Sequence, residues 1–170
     1  MTAARKYVIF FLFPLALNFP AQPGYSQSST ISNPSNPGIQ RFLRINEVNA
    51  KAARHFEKHF IGDGSEKWTI LDGFYIASFS QGAVRTEAFY TSRGGFAYTV
   101  KYYPAAFLKE DIKLAILKKF QDHFIDIITE ISNLNDKLYY IKIKSNSNIK
   151  MVKVIGNEME ITEDYANGGT

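Results

Sequence analysis

Apolar residues recur along this chain with two different periods, one typical of helices and the other typical of strands. Helical spacing, with an apolar residue at every third or fourth position, occurs in two separate segments. The first segment carries Val48, Ala52, Ala53, Phe56 and Phe60. The second carries Ile112, Ala115, Ile116, Leu117 and Phe120, with Lys113, Lys118 and Lys119 expected on its solvent side. The spacing therefore predicts two helices.

Most of the remaining sequence alternates between apolar and polar positions, which is the pattern of β-strands. Strands are predicted at about 66–71, 74–80, 83–91 and 96–102, and again at about 125–132, 137–145, 148–155 and 158–163. Asp72-Gly73 and Gly156-Asn157 lie between neighbouring strands, and such pairs favour tight hairpins because they accept a positive φ at low cost. Short connections of this kind predict antiparallel meanders.

One offset relates the two halves of the chain. Phe56, His59 and Phe60 recur 64 positions later as Phe120, His123 and Phe124, and the same offset carries Asp72 onto Asp136 and Tyr75 onto Tyr139. A shared offset across a helix, a turn and a strand indicates an internal repeat. The predicted fold class is therefore α+β, a tandem repeat of one helix packed on a four-stranded antiparallel β-meander, with repeat one at 45–102 and repeat two at 105–164.

The N-terminal residues have the pattern of an export signal. Arg5 and Lys6 precede an uncharged apolar run at 7–19, which is too short to span a bilayer comfortably and contains Pro14. We expect a signal peptide at 1–26, a disordered leader rich in Ser, Asn and Pro at 27–40, a folded body at 41–164 and a flexible tail at 165–170. The predicted location is the periplasm or the exterior, with no stable membrane span after cleavage, and an uncleaved N-terminal anchor is the alternative.

Composition excludes several classes of function. The chain has no cysteine, so disulfides, thiol catalysis and thiolate metal sites are excluded. The net charge of +4 includes Arg5 and Lys6, which belong to the predicted signal peptide, and so gives no argument for nucleic acid binding. The hydrophobic content of 45% is sufficient for a packed core.

Candidate catalytic or metal-binding residues are few. His55 and His59 are four positions apart on a predicted helix, a spacing that can place two imidazoles on one metal, but no HExxH motif supplies a third ligand. Glu110-Asp111 lies at the start of the second predicted helix, where negative charge offsets the helix dipole. No nucleophile elbow, P-loop or dinucleotide fingerprint is present. We therefore predict no catalytic residues, no cofactor and no metal.

Trp68 and the lysines of the last third of the chain each allow two interpretations. Trp68 is interpreted as a core residue, with a recognition anchor as the alternative. The lysines alternate along the predicted strands and are interpreted as charges that keep strand faces and edges soluble. The alternative is a basic stripe that contacts an acidic partner or a glycan. These lysines are Lys137, Lys142, Lys144, Lys150 and Lys153.

The pattern resembles the PepSY-like, β-lactamase-inhibitor-like periplasmic proteins of Bacteroidetes-type bacteria. The resemblance rests on Lys58-His59-Phe60 and Lys119-Phe120 at the helix ends, on Glu66-Lys67-Trp68 and on the strand at 72–79, and it covers roughly residues 45–164. It implies a tandem of helix-on-sheet units in which a sheet surface holds another protein and no reaction is catalysed. The second half departs from the pattern because it has no tryptophan strand and no Asp-Gly hairpin.

The predicted function is that of an exported, non-catalytic binding module for an unknown envelope or extracellular protein. Tyr75, Ala77 and Phe79 are expected to face the first helix, which leaves the opposite sheet face for recognition. The provisional partner-binding residues on that face are Phe74, Ile76, Phe89, Tyr140 and Lys142. Two alternatives stay open: an envelope sensor with a small amphiphilic ligand between helix and sheet, and a metal-dependent enzyme that uses His55 and His59.

Overall fold

The computed structural model describes residues 40–61 and 65–167. The predicted signal peptide and nearly all of the predicted leader lie outside the described residues. Two helices are present, α1 (Ala50–His59) and α2 (Glu110–Lys119), and a short 3-10 turn precedes each of them, Ile45–Glu47 and Ala105–Phe107. The strands are β1 (Arg41–Leu43), β2 (Lys67–Leu71), β3 (Phe74–Gln81), β4 (Val84–Tyr90), β5 (Phe96–Tyr103), β6 (Phe124–Ser132), β7 (Lys137–Lys144), β8 (Asn148–Ile155) and β9 (Glu158–Ala166).

The strands form one antiparallel sheet in which spatial order follows chain order from β1 to β9. The predicted α+β fold class, a tandem repeat of helix-on-meander units, is therefore wrong: the described fold is mostly one nine-stranded sheet with two helices. The deciding contact is the pairing of β5 with β6, in which Thr99–Tyr103 lies alongside Ile128–Ser132. Two separate meanders would each leave a strand edge unpaired here, and this pairing removes both edges.

The hairpin prediction at Asp72-Gly73 is confirmed. Asp72 has φ 48° and Gly73 has φ 80°, so both central residues of the two-residue turn between β2 and β3 are in the left-handed region. The predicted strand positions agree with the structure to within a few residues, except that β1 was not predicted and β9 extends to Ala166.

Both helices pack on the same side of the sheet. Beneath α1 a hydrophobic cluster includes Phe56, Trp68 and Phe79, and beneath α2 another includes Ile116 and Ile141. Trp68 is 4% exposed, so its interpretation as a core residue is confirmed. Alternation along each strand then places every second side chain on the opposite side of the sheet.

Three polar side chains interact on the helix side of the sheet, where β5 pairs with β6. The Tyr103 hydroxyl donates a hydrogen bond of 2.7 Å to Glu130 Oε2, and Lys137 Nζ lies 3.1 Å from Glu130 Oε1. Burial alone would raise the pKa of Glu130, but the hydrogen bonds from Tyr103 and Lys137 outweigh it and lower that pKa overall. Glu130 is therefore a buried carboxylate that stays ionised because its partners satisfy it.

No helix among the described residues combines the length and the hydrophobicity that crossing a membrane would require.

Candidate functional site

The side of the sheet that faces away from both helices is the candidate site, and we call it the open face. Its residues follow from the alternation of the core: Ala77 and Ala88 point toward α1, so Ile76 and Phe89 point the other way. On β7 and β8, Ile141 and Val152 point toward α2, which leaves Tyr140, Lys142 and Met151 on the open face. No helix of the described chain covers this side.

Three aromatic residues of β3, β4 and β5 form a cluster on the open face. Phe89 and Tyr98 are directly opposite each other on paired strands, and their rings stack with centroids 4.5 Å apart and an interplanar angle of 16°. The ring of Phe74 lies 6.4 Å from that of Phe89 and 6.5 Å from that of Tyr98. All three side chains are partly exposed. We call Phe74, Phe89 and Tyr98 the aromatic cluster.

Below the exposed side chains, the open face has a buried apolar layer. Ile76 is 5% exposed, and Val100 and Met151 are each 8% exposed, although none of the three belongs to the clusters beneath the helices. Neighbouring side chains of the same sheet face cover them. Ile76, predicted as a contact residue, therefore lies beneath the surface and supports Phe89, which is its partner across β3 and β4.

The five predicted contact residues fall into two groups. Phe74, Ile76 and Phe89 lie together at the aromatic cluster. Tyr140 and Lys142 lie on β7, three strands away from Phe89, and so belong to a different part of the same face. The structure thus places all five on the open face but does not bring them into one contact site.

Seven charged groups of the open face are paired with one another. Arg85 is 2.6 Å from Glu87, and Lys153 is 3.7 Å from Glu160 on the neighbouring strand. Asp126 accepts from Lys144 at 2.8 Å and lies 3.8 Å from Lys142. The remaining two lysines of the predicted basic stripe are paired as well, Lys137 with Glu130 and Lys150 with Asp164. Each lysine of the stripe therefore lies beside a carboxylate of the same chain, and Asp126 is shared by two of them.

The tyrosines of β5 on this face stay protonated. Burial raises the pKa of Tyr98, and the nearby negative charge of Glu87 raises it further. The pKa of Tyr102 is raised for the same two reasons, with a smaller opposing effect from Arg85, whose guanidinium lies 5.7 Å from the ring of Tyr102. Both hydroxyls are neutral hydrogen-bonding groups near neutral pH.

The histidine pair of α1 does not have the geometry of a metal site. The rings of His55 and His59 stack with centroids 4.2 Å apart and an interplanar angle of 2°. Nitrogen lone pairs lie in the ring plane, so two parallel stacked rings cannot direct them at one ion. Within residues 40–61 and 65–167, no group of three or more His, Asp or Glu side chains could hold a metal.

His55 is instead part of the packing between α1 and the sheet. Its Nδ1 lies 3.2 Å from the Tyr90 hydroxyl, and its ring stacks on Phe96 at 5.0 Å. Burial lowers the pKa of His55, and the charges of His59 and Lys58 lower it further.

Sequence reasoning did not identify Tyr98, Tyr102 or Asp126 as residues of the site. Alternation along β5 could have placed both tyrosines on one face. The register between β4 and β5 shifts between Phe89 and Tyr90, however, so the sequence does not show which residues of β4 lie opposite these tyrosines. Asp126 lies at a similar irregularity between Ile125 and Ile127 of β6, where simple alternation does not assign a face.

Comparison with known proteins gives structural relatives only. A protein of the DUF2874 family from Bacteroides ovatus has a TM-score of 0.55 at 14% sequence identity, over 69% of this chain and 86% of the other. A DUF2874 family protein from Bacteroides uniformis has a TM-score of 0.55 at 10% identity, over 70% of this chain and 89% of the other. The chain shares their fold.

A proposed periplasmic protein from Bacteroides eggerthii is also similar, with a TM-score of 0.54 at 11% identity, over 69% of this chain and 87% of the other. No protein-family model matches the chain, and no curated protein matches it in sequence. At these identities the likeness establishes the fold alone.

Proposed function

We propose that this chain is an exported, non-catalytic, PepSY-like module that binds a protein partner on the open face. The observation that carries the proposal is the aromatic cluster: three partly exposed rings hold one another in place on a sheet face that no described helix covers. Rigid aromatic side chains are common anchors of protein interfaces because they bury a large area with little loss of conformational entropy.

A periplasmic or extracellular location is part of the proposal. The N-terminal pattern at 1–26 supports export. The description of the Bacteroides eggerthii relative as a proposed periplasmic protein agrees with it.

The alternative of an amphiphilic ligand between helix and sheet receives no support from the packing. Phe56 of α1 is 3% exposed and Ile116 of α2 is 0% exposed, and each is surrounded by the side chains of its cluster. These apolar side chains fill the space that such a ligand would need.

Capture from the cell envelope tests the binding proposal. The full chain is expressed with a C-terminal tag in a Bacteroides host, crosslinked, and recovered from the periplasmic and extracellular fractions. The double variant Phe89→Ala/Tyr98→Ala is expected to lose the captured protein. Leu114→Ala/Leu117→Ala is the matched control, because these residues are exposed apolar side chains on α2, on the other side of the sheet.

Two results would contradict the proposal. Equal capture by the aromatic double variant and by the wild type would show that the open face is not the contact surface. Retention of the tagged chain in the cytoplasm, with its residues 1–26 intact, would contradict export.

A further inference from the structure

We infer that the partner's contact surface is apolar and nearly uncharged, a protein segment that presents aliphatic side chains, and not an acidic protein or a glycan. This inference rests on the proposed function, since it specifies the partner of the same open face. Three features of that face support it: paired charges, an apolar row across four strands, and aromatic rings that pack against one another.

The first feature is the pairing of charges. Arg85 with Glu87, Lys153 with Glu160, and Asp126 with its two lysines leave these seven groups with one positive charge in excess. An acidic partner would have to compete with carboxylates that the chain already supplies. A paired surface of this kind gives little electrostatic attraction to a charged partner and little repulsion of a neutral one.

The second feature is the extent of apolar surface. One row of cross-strand neighbours on the open face is apolar over four consecutive strands, β5 to β8, and consists of Val100, Ile131, Leu138 and Ile155. Ile155, at the end of this row, is 50% exposed. The row is buried at Val100, partly exposed at Ile131 and Leu138 and half-exposed at Ile155, so it reaches the surface beside the aromatic cluster. Apolar surface in this position favours an interaction whose main driving force is apolar burial.

The third feature is the arrangement of the rings. Phe89 and Tyr98 stack on each other, and the ring of Phe74 is tilted by 70° and 57° to them. Sugar rings stack on flat aromatic faces that are free. Here Phe89 and Tyr98 each direct one ring face at the other, which closes those two faces to a sugar ring.

Three synthetic helical peptides test the inference against the purified mature chain. All three have the same leucine face, and their polar faces consist of glutamine, glutamate or lysine. We expect the glutamine peptide to bind at least as tightly as either charged peptide. Its Kd should change by less than about twofold between about 0.1 M and about 1 M salt, because screening acts only on charge.

Two substitutions locate the binding. We expect two variants each to weaken the binding of the glutamine peptide by about tenfold in Kd. They are Phe89→Ser in the aromatic cluster and Ile155→Asp at the end of the apolar row. Leu114→Asp, at a residue that is 58% exposed on α2, is the matched control and is expected to leave the affinity unchanged. Because Ile155 is half-exposed, its variant should fold even if Phe89→Ser does not, and circular dichroism checks both.

Several outcomes would overturn the inference. Tighter binding of the glutamate peptide with strong salt dependence would indicate an acidic partner. Failure of all three peptides to bind would rule out an apolar contact surface. A dimer of this chain that Ile155→Asp abolishes would assign the face to a second copy. If envelope capture still depends on Phe89 and Tyr98, each of these outcomes leaves the proposed function standing.

Discussion

The side chain of Asn49 lies against the backbone of Gly94, so closely that a Cβ at position 94 would be 2.2 Å from Asn49 Oδ1. Asn49 is the N-cap of α1, where its Oδ1 accepts a hydrogen bond of 3.0 Å from the backbone N–H of Lys51. Its Nδ2 lies 3.4 Å from the carbonyl oxygen of Ser92 in the turn between β4 and β5. The start of the helix is thereby fixed to that turn.

Gly94→Ala is expected to destabilise the fold more than Gly82→Ala. Both glycines have a positive φ, 75° and 59°, and left-handed backbone costs an alanine about 1–2 kcal/mol. At Gly82 nothing lies within 4 Å of an added Cβ, whereas at Gly94 the overlap with Asn49 adds about 1–3 kcal/mol. Urea unfolding of the two variants measures the difference, and equal losses of stability would show that the contact with Asn49 is loose.

Ile116→Ala and Leu114→Ala are expected to differ sharply, although both residues are on α2. Ile116 is 0% exposed in the cluster beneath the helix, so its truncation should cost about 2–5 kcal/mol. Leu114 is 58% exposed, and its truncation should stay within about 0.5 kcal/mol. Thermal and urea unfolding provide the comparison, and a large loss from Leu114→Ala would mean that this side of α2 is covered in solution.

Tyr103→Phe is expected to destabilise the protein by about 1–3 kcal/mol at pH 7, because it leaves the buried carboxylate of Glu130 without one donor. The pKa of Glu130 is lowered in the folded state, so the ionised carboxylate stabilises the fold. This stabilisation is complete above the unfolded pKa of about 4.3 and is lost as pH falls through the pKa of the folded state. The stability difference between wild type and variant should therefore be constant near neutral pH and narrow below about pH 4.

Tyr102→Phe is the control for that experiment, because Tyr102 is the preceding residue on β5 and faces the other side of the sheet. If the stability difference between wild type and Tyr103→Phe keeps its full size at acid pH, the effect of the substitution comes from packing and not from the carboxylate of Glu130.

His55→Gln is expected to reduce the acid sensitivity of the fold above pH 5. The pKa of His55 is lowered in the folded state by burial and by His59 and Lys58. The unfolded chain therefore binds more protons below its reference pKa of about 6.5, and stability falls as pH decreases through that range. Unfolding midpoints at about pH 7.5 and about pH 5.5 should differ less in the variant than in the wild type. An equal slope in both proteins would contradict a lowered pKa of His55 in the folded state.

Much of the local structure follows from the sequence. Alternation from Phe74 to Phe79 placed each residue of β3 on its correct side, and the helical spacing of Ala52 and Phe56 identified α1. These assignments depend only on neighbours along the chain. The pairing of β5 with β6 depends on residues separated by the whole of α2, and no local period contains that information.

The candidate site was predictable only in part, for the same reason. Phe74, Ile76 and Phe89 are brought together by hairpins that the sequence indicates. The partnership of Lys142 with Asp126 follows from a register shift in β6, and the stacking of Phe89 on Tyr98 follows from one in β4 and β5. A bulge changes which face of the sheet the following side chains occupy, and no particular residue composition marks its position in the sequence.

The agreement between strand order and chain order governs how the molecule can assemble. Each strand forms its ladder with the one before it, so every addition closes a short loop, except where α1 separates Leu43 from Lys67 and where α2 separates Tyr103 from Phe124. Residues that leave the ribosome or a translocation pore first can pair before the later ones arrive. The step across α2 is the later of these two long closures along the chain, and until it occurs the rows of the open face that cross from β5 to β6 do not exist.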